Sequence, residues 1–321
     1  MDKISIVIVT WNSGRVIGEC LGSLFSHVPA EGLDVILVDN ASEDPSYLES
    51  LERLPSVRVF RNSDNLGFAK AVNIGARHAV GSHLLILNPD MLFVSNPFPR
   101  LLTELSRDPE IGVIGPLLHG TDGKPQIEHF YPNLPSVWQF ICFRSVLAAL
   151  PPVRKLALRH FHARVGTSGV FFVDQIPGAF LLFRRNLFGD APPLNEAYYI
   201  WMEDVDFCLT VHRMGLKVAV VADEKVTHIG GFSFKTWSMP RRMWMFNQSY
   251  LTYLELHFSP AAYLVHTAVM AVNSIAFLIA TPFYFAPRGH AFVGERLRSE
   301  ARVLGLILAR TARRFFRTRD T

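Results

Sequence analysis

Four residues carry most of the chemistry this sequence can offer: Asp39, Asp90, Asp204 and His228. Carboxylates suit two tasks, holding a divalent cation and taking a proton, and a histidine suits either. Asp90 closes the stretch HLLILNPDM, in which the apolar residues 84–87 lead into Asn88, Pro89 and Asp90. Such a run reads as a buried parallel strand whose end emerges at the sheet edge, where open α/β sheets bind ligands. Pro89 fixes φ and has no N–H, so the Asp90 carboxylate projects from a rigid turn, sited to hold a cation against a diphosphate. Alone, Asp90 is equally a turn residue after a core strand.

The other three need their surroundings too. Asp39 ends LDVILVD; it can accept from a base or ribose hydroxyl, or cap the next helix with Asn40-Ala41-Ser42, and spacing leaves both open. Residues 201–215 (WMEDVDFCLTVHRMG) have helical spacing, with Gly215 placed as a C-cap. Glu203, Asp204 and Asp206 in its first turn complement the helix dipole. Asp204, however, shares a face with Phe207, Cys208 and Val211, and a partly desolvated carboxylate beside Trp201 has the character of a general base. His228 precedes Ile229-Gly230-Gly231; a lone histidine is ordinarily structural, but on a flexible glycine loop it could fold over a metal-bound diphosphate.

The elements that must position these residues are legible in the periodicity. Strand patterns at residues 4–10, 33–38 and 57–60 alternate with helical patterns, ending in the strand before Asp90. This β-α-β-α-β-α-β order predicts a Rossmann-like, mostly parallel sheet. Thr10 to Asn12, Asp39-Asn40 and Asn88 to Asp90 then fall along one edge. Asn65-Leu66-Gly67 opens a helix, placing Gly67 where backbone can approach a phosphate and Lys70 one turn inside. The stretch lacks GxGxxG and GxxxxGK, which weakens dinucleotide and P-loop readings. From 117 to 174 the alternation fails; the segment is rich in Pro, His and aromatics (EHFYPNLPSVWQFICF), with a basic run at 154–164. It reads as an irregular insertion, a lid or acceptor-facing loop. The pattern resumes at Ile176-Pro177-Gly178-Ala179.

The chain has 321 residues, is 49% hydrophobic and carries a formal charge of +4. Nine arginines against three acids follow from Arg288 onward, so the positive excess belongs to the tail and a nucleic-acid-binding face on the main domain is not expected. Cys20, Cys142 and Cys208 lack metal-ligand spacing and read as reduced core thiols in a cytosolic compartment. The N-terminus begins directly with a strand pattern, without signal-peptide architecture.

Seven ordered blocks carry a resemblance: VTWNS, LVDNASED, NxGFAxAxNxG, LLILNPD, PGAF, WMEDVDFC and VTHIGG, over about residues 4–234. The chain resembles the inverting family-2 glycosyltransferases of GT-A fold, particularly the rhamnosyltransferase-like branch. The resemblance implies a nucleotide-sugar donor held by Thr10, Asn12 and Asp39, with Asn65, Gly67 and Lys70 near its diphosphate. The NPD turn (Asn88, Asp90) takes the place of the family's Asp-x-Asp, so Asp90 would ligate Mg²⁺ or Mn²⁺, and His228 matches a second ligand. Asp204 would be the base, with Gly178, Ala179, Trp201 and Glu203 on the acceptor side. Asn88 departs from the first aspartate of the wider family and leaves one less charge near the metal.

Residues 261–285 contain no Asp, Glu, Lys or Arg and are long enough to span a bilayer. A single crossing would separate the arginine-rich tail from a catalytic domain that meets a cytosolic nucleotide sugar. Asn273-Ser274 and Pro282 allow a break, so an in-plane or re-entrant hairpin is favoured over a buried helix or a span. Leu297, Ala301, Leu304, Leu308 and Phe315 share one face of the tail, suiting an interfacial helix on anionic lipid or an ordinary packed helix. The expected organisation is a catalytic domain over 1–240 and a helical membrane-associating region over 241–321. The expected partners are a nucleotide-sugar donor, a lipid-linked glycan acceptor and the cytoplasmic face of the inner or plasma membrane. The rival readings are a sugar-phosphate nucleotidyltransferase and a catalytically silent glycan-binding module.

Overall fold

The computed structural model describes residues 3–127, 134–162, 166, 168–230 and 237–317. Residues 128–133 of the aromatic-rich segment, Arg164, Gly231 and Phe234, all named above, lie outside the described residues. In chain order the first elements are β1 (Ile4–Thr10), α1 (Gly14–His27), β2 (Leu33–Asp39), α2 (Leu48–Leu51), β3 (Val57–Arg61), α3 (Phe68–Arg77) and β4 (His83–Leu87). Then come β5 (Met91–Phe93), α4 (Phe98–Arg107), β6 (Ile111–His119), α5 (Val137–Arg144), α6 (Pro151–His162), β7 (Val170–Val173) and β8 (Phe180–Arg184). The chain continues with α7 (Glu203–Arg213), β9 (Lys217–His228), α8 (Met239–His257), α9 (Pro260–Tyr284) and α10 (His290–Arg317).

Two compact units result. The first comprises Met1–Leu134, Phe161–Tyr199 and Glu203–Lys235. Among the described residues its sheet runs β3-β2-β1-β4-β8-β6-β9-β5, with β7 also pairing β9. The expected parallel half is there: β3, β2, β1 and β4 pair in parallel. Every residue of β1 and β2 is buried, as β-branched and leucine-rich strands covered on both faces must be. The second half is mixed, because β8 inserts antiparallel between β4 and β6. No crossover helix joins β8 to a neighbour, so nothing constrains it to run parallel.

Strand β9 departs from expectation with a consequence for the site. Its sequence predicts a short strand near 218–221 and then a flexible histidine loop, yet the strand continues for 12 residues and His228 is its last member. It is held throughout by changing partners: β6 along its length, β7 beside its first half and β5 at its end.

The second unit comprises Pro135–His160, Ile200–Met202 and Thr236–Thr321. Residues 135–160, read from sequence as an insertion in the catalytic domain, thus group with the C-terminal helices. The reasons are local: Val146 N–H donates to Asn273 Oδ1 at 2.8 Å, Asn273 Nδ2 donates to the Arg144 carbonyl, and Phe140 packs on Tyr250 and His266. Because Asn273 is satisfied this way, α9 runs unbroken through Asn273-Ser274, where a break was expected; the chain turns only at Ala286–Arg288.

Helix α9 is the one described helix long and apolar enough to cross a membrane. Its polarity is inverted. The inward face carries Tyr263, His266, Thr267, Met270, Ser274 and Thr281, all buried and four of them His, Thr or Ser, while Val265, Val272, Ile279 and Phe283 are exposed at 58%, 66%, 65% and 81%. Helix α10 packs with α8 and α9 through Ser299, Glu300, Val303 and Ile307. The leucine face read from sequence is divided, with Ala301 and Leu308 exposed and Leu297 and Leu304 half-buried; the Phe315 side chain lies outside the described residues. Arg310 forms two hydrogen bonds with Glu255, and Arg314 donates to the carbonyls of Glu255 and Phe258, stitching α10 to α8.

Candidate active site

The site lies at the edge of the first unit where β1, β2 and β4 end. Register pairs Thr10 with Asp39, so the two side chains meet, and Thr10 Oγ1 donates to Asp39 Oδ1 at 3.1 Å. Asp39 Oδ1 also accepts from Ser42 Oγ and the Tyr47 hydroxyl, and Oδ2 from the Ser42 N–H. Asp39 thus closes the loop to Ser42 rather than capping the next helix, which starts only at Leu48 with no side-chain cap; Oδ2, with one donor, keeps room to accept another. Asn12 ties the two strand ends together, giving its N–H to Ser42 Oγ and accepting from Glu43 N–H. It does so at φ 53°, and Ala41 on the facing loop sits at φ 61°. Left-handed non-glycine residues cost energy and concentrate where geometry is functional.

Sequence reasoning missed Asn40. Its amide is buried and bonds Asn65 Oδ1, the Gly67 carbonyl, the Leu66 N–H and Asn62 Nδ2, so it sets the whole entry to α3. The only signal was its place beside Asp39. Gly67 has a different role from the one expected. At φ 87° a Cβ there would lie 2.5 Å from the Tyr199 carbonyl oxygen, and Phe68 N–H donates to that oxygen at 2.7 Å. The glycine admits the Tyr199 backbone rather than a phosphate, and the first helical N–H is already used. Lys70 is exposed one turn on.

Asp90 and His228 are brought together by the pairing of β5 with β9, which sets Met91 opposite His228. Both side chains are nearly buried, and Asp90 Oδ1 lies 3.6 Å from His228 Nε2. Gln126 Nε2 donates to the His228 carbonyl at 2.7 Å, which turns its Oε1 toward the ring, 3.0 Å from Nδ1. In a neutral ring Nδ1 then carries the proton and Nε2 faces the Asp90 carboxylate. An imidazole nitrogen and a carboxylate oxygen at this spacing are groups that could hold a cation. Among the described residues no third His, Cys, Asp or Glu joins them, so substrate oxygens and water would complete the coordination. Gln126 sits in the irregular segment, where nothing in the sequence announces it.

Asn88 N–H donates to the Ala179 carbonyl, so the segment 176–179 runs beside the NPD turn. Next to it, Gly178 N–H donates to Asp204 Oδ2 at 2.8 Å and Val205 N–H to Asp204 Oδ1 at 2.9 Å. A Cβ on Gly178 would lie 3.2 Å from the Asp204 Cβ; glycine permits the approach. Burial raises the Asp204 carboxyl above its ordinary range despite those two donors. Glu203 is pushed further, first by burial and then by the Asp204 charge, and its Oε2 is buried with no hydrogen-bond partner. Burial thus favours the neutral form of both carboxyls, of Glu203 the more, and each Asp204 oxygen retains a lone pair for a proton. Met202, just before the pair, has φ 72°, as Trp201 has φ 62°. Trp201 packs its ring on Trp237 and Phe246, each at 6.1 Å between centroids. The three cysteines are buried and unpaired; burial holds Cys20 up at about 12.

Known proteins give this arrangement a class. The mannosyltransferase PcManGT of Pyrobaculum calidifontis, solved with GDP-Man and Mn²⁺, matches with a TM-score of 0.56 at 17% identity, over 97% of this chain and 87% of that one. GalNAc-T7, solved with UDP, GalNAc and Mn²⁺, matches at 0.58 and 20% identity over 79% of this chain and 48% of that one. The fold is the α/β GT-A fold. In sequence, residues 5–163 match Glycosyl transferase family 2. The N-acetylglucosaminyl-diphospho-decaprenol L-rhamnosyltransferase of Mycobacterium tuberculosis is 28% identical over 240 residues, covering 71% of this chain and 76% of the relative. The chain belongs to glycosyl transferase family 2 and is a nucleotide-sugar glycosyltransferase. Neither the nucleotidyltransferase nor the silent-module reading survives that assignment.

Proposed function

We propose that the chain is a metal-dependent inverting transferase. It moves a sugar, rhamnose from dTDP-rhamnose by likeness to the mycobacterial relative, onto a hydroxyl of a membrane-linked glycan in cell-surface polysaccharide synthesis. The observation that carries the reading is the Asp90–His228 pair at the edge where β1, β2 and β4 end. Thr10, Asn12 and Asp39 border the nucleotide, and Asn65 and Lys70 the diphosphate. Gly67 contributes by shape, through Tyr199. A Mg²⁺ or Mn²⁺ on Asp90 and His228 would offset charge developing on the leaving diphosphate.

Asp204 takes the proton from the acceptor hydroxyl, which attacks the anomeric carbon opposite the departing diphosphate, and one displacement inverts the centre. The N–H groups of Gly178 and Val205 hold the carboxylate in place for this. Glu203, kept neutral, leaves the charge where the proton is taken. Gly178, Ala179 and Glu203 border the acceptor. The inverted polarity of α9 and the basic α10 support attachment at the cytoplasmic membrane face, with α9 lying against lipid.

Release of nucleoside diphosphate from a panel of nucleotide sugars, with and without Mn²⁺, is the test. Mn²⁺-dependent release from one donor is expected; no release from any donor would refute the proposal.

A further inference from the structure

Strand β5 has three residues and, among the described residues, one strand partner, β9. That single ladder sets Met91 opposite His228 and so governs how far Asp90 stands from the imidazole. Three pairs on one side are a weak hold, since a two-stranded ribbon is marginal by itself. Cation ligation is intolerant: ligand distances must hold to about 0.2 Å, whereas each residue of a strand covers about 3.3 Å. A slide of β5 by a small part of one residue would already spoil the pair.

One turn of α1 grips the other edge. Phe93 N–H, on a residue only 2% exposed, donates to Ser23 Oγ at 3.0 Å. The Ser23 hydroxyl gives its own proton to the Cys20 carbonyl at 2.9 Å, which leaves its lone pairs for β5. Cys20 Sγ faces the Asn88 carbonyl at 3.9 Å, and Met91 N–H is directed at the same sulfur. From the β9 side, Ile229 N–H donates to the Asp90 carbonyl at 3.1 Å. The turn that carries Asp90 is therefore clamped between β9 and α1. The α1 jaw is anchored, because Ile17, Cys20, Leu21 and Leu24 are buried in the core of the first unit. Of its contacts the Ser23 bond is the strong one, as sulfur is a poor hydrogen-bonding atom. Without the hydroxyl, Phe93 N–H would be buried with no acceptor, which β5 could relieve only by moving.

We propose that Ser23 is a positioning residue for the metal pair: it pins β5 so that Asp90 stays within reach of a cation on His228, as Gln126 orients the imidazole. The inference rests on the metal reading above, which Asp90→Ala tests separately. The measurement is Mn²⁺ binding to the full-length protein, followed by loss of the free-ion EPR signal. Ser23→Ala should weaken binding at least threefold, and Ser23→Thr, which keeps the hydroxyl, should stay within twofold of wild type. Ser23→Val, which has the shape of threonine without the hydroxyl, should repeat the loss. In each weakened variant the Mn²⁺ concentration for half-maximal nucleoside diphosphate release should rise, with the rate at saturating Mn²⁺ near wild type. A merely structural role would instead lower the melting temperature in EDTA and leave Mn²⁺ affinity alone. Unchanged affinity in Ser23→Ala and Ser23→Val, beside a loss in Asp90→Ala, would overturn the Ser23 role alone, as would a Ser23→Thr protein as weak as Ser23→Val. Unchanged affinity in Asp90→Ala would overturn the metal reading and the Ser23 role with it.

Discussion

Helices α1 and α9 obey one geometric rule and turn opposite kinds of side chain outward. In α1 the inward face is Val16, Ile17, Cys20, Leu21 and Leu24, and Arg15 and Glu19 face out. In α9 the inward face holds His266, Thr267, Ser274 and Thr281 beside Tyr263 and Met270, and Val265, Val272, Ile275, Ile279 and Phe283 face out. Water drives the first arrangement, since covering each large apolar side chain is worth roughly 1.5–3 kcal/mol. The second forgoes that gain at its outward valines, isoleucines and Phe283, the arrangement that an apolar surrounding, as in the membrane attachment proposed above, would favour. One chain therefore presents a polar strand edge suited to a charged donor and a helix whose outward face is apolar.

The sharpest way to break this division is at the strand edge. Asp204→Asn should lower turnover by about 10²–10⁴, the usual worth of a general base, while donor affinity, followed by titration with the nucleotide sugar, stays within a few-fold. Near-normal turnover would remove Asp204 from the chemistry. Asp90→Ala should raise the metal concentration needed for half-maximal rate at least tenfold. Gln126→Ala should raise it by about tenfold through loss of His228 orientation, as outer-shell changes do. An unchanged metal titration for both would dissolve the pair as a metal site.

On the outward face of α9, Ile279→Asp should reduce sedimentation with anionic vesicles about tenfold, whereas Glu19→Gln on the outward face of α1 should not change it. Equal effects from both would erase the contrast between the helices. The smallest expected effect is thermal. Glu203 binds its proton more tightly folded than unfolded, so the native state loses stability as pH rises from the ordinary glutamate range through the raised value. Glu203→Gln keeps the neutral shape and should melt a few degrees higher at neutral pH, with a flatter pH dependence. Parallel melting curves for the two proteins would show that the proton is not held there.

The parallel half of the sheet was legible because each strand is a local apolar run and each helix a local period. Strand β5, three residues long, offers no period at all. The placement of β8 and the full length of β9 depend on partners far away in the chain, which local patterns do not encode. The same holds for the site. Asp90, Asp204 and His228 stand out by residue type, whereas Gln126 and Asn40 matter only through what they touch. Gly67 was visible as a glycine before a helix, but its neighbour Tyr199 was not, so its role came out differently.

By itself the sequence determined which side chains could do chemistry, the alternation that brings three strand ends to one edge, and the apolar character of residues 261–285. These are matters of composition and short-range period. The tertiary structure decided the rest: that β5 against β9 carries His228 to Asp90, that residues 135–160 join the C-terminal helices, and that α9 turns its oily face outward. Each of these follows from pairing or burial between distant segments, whose energies exist only once the chain has folded.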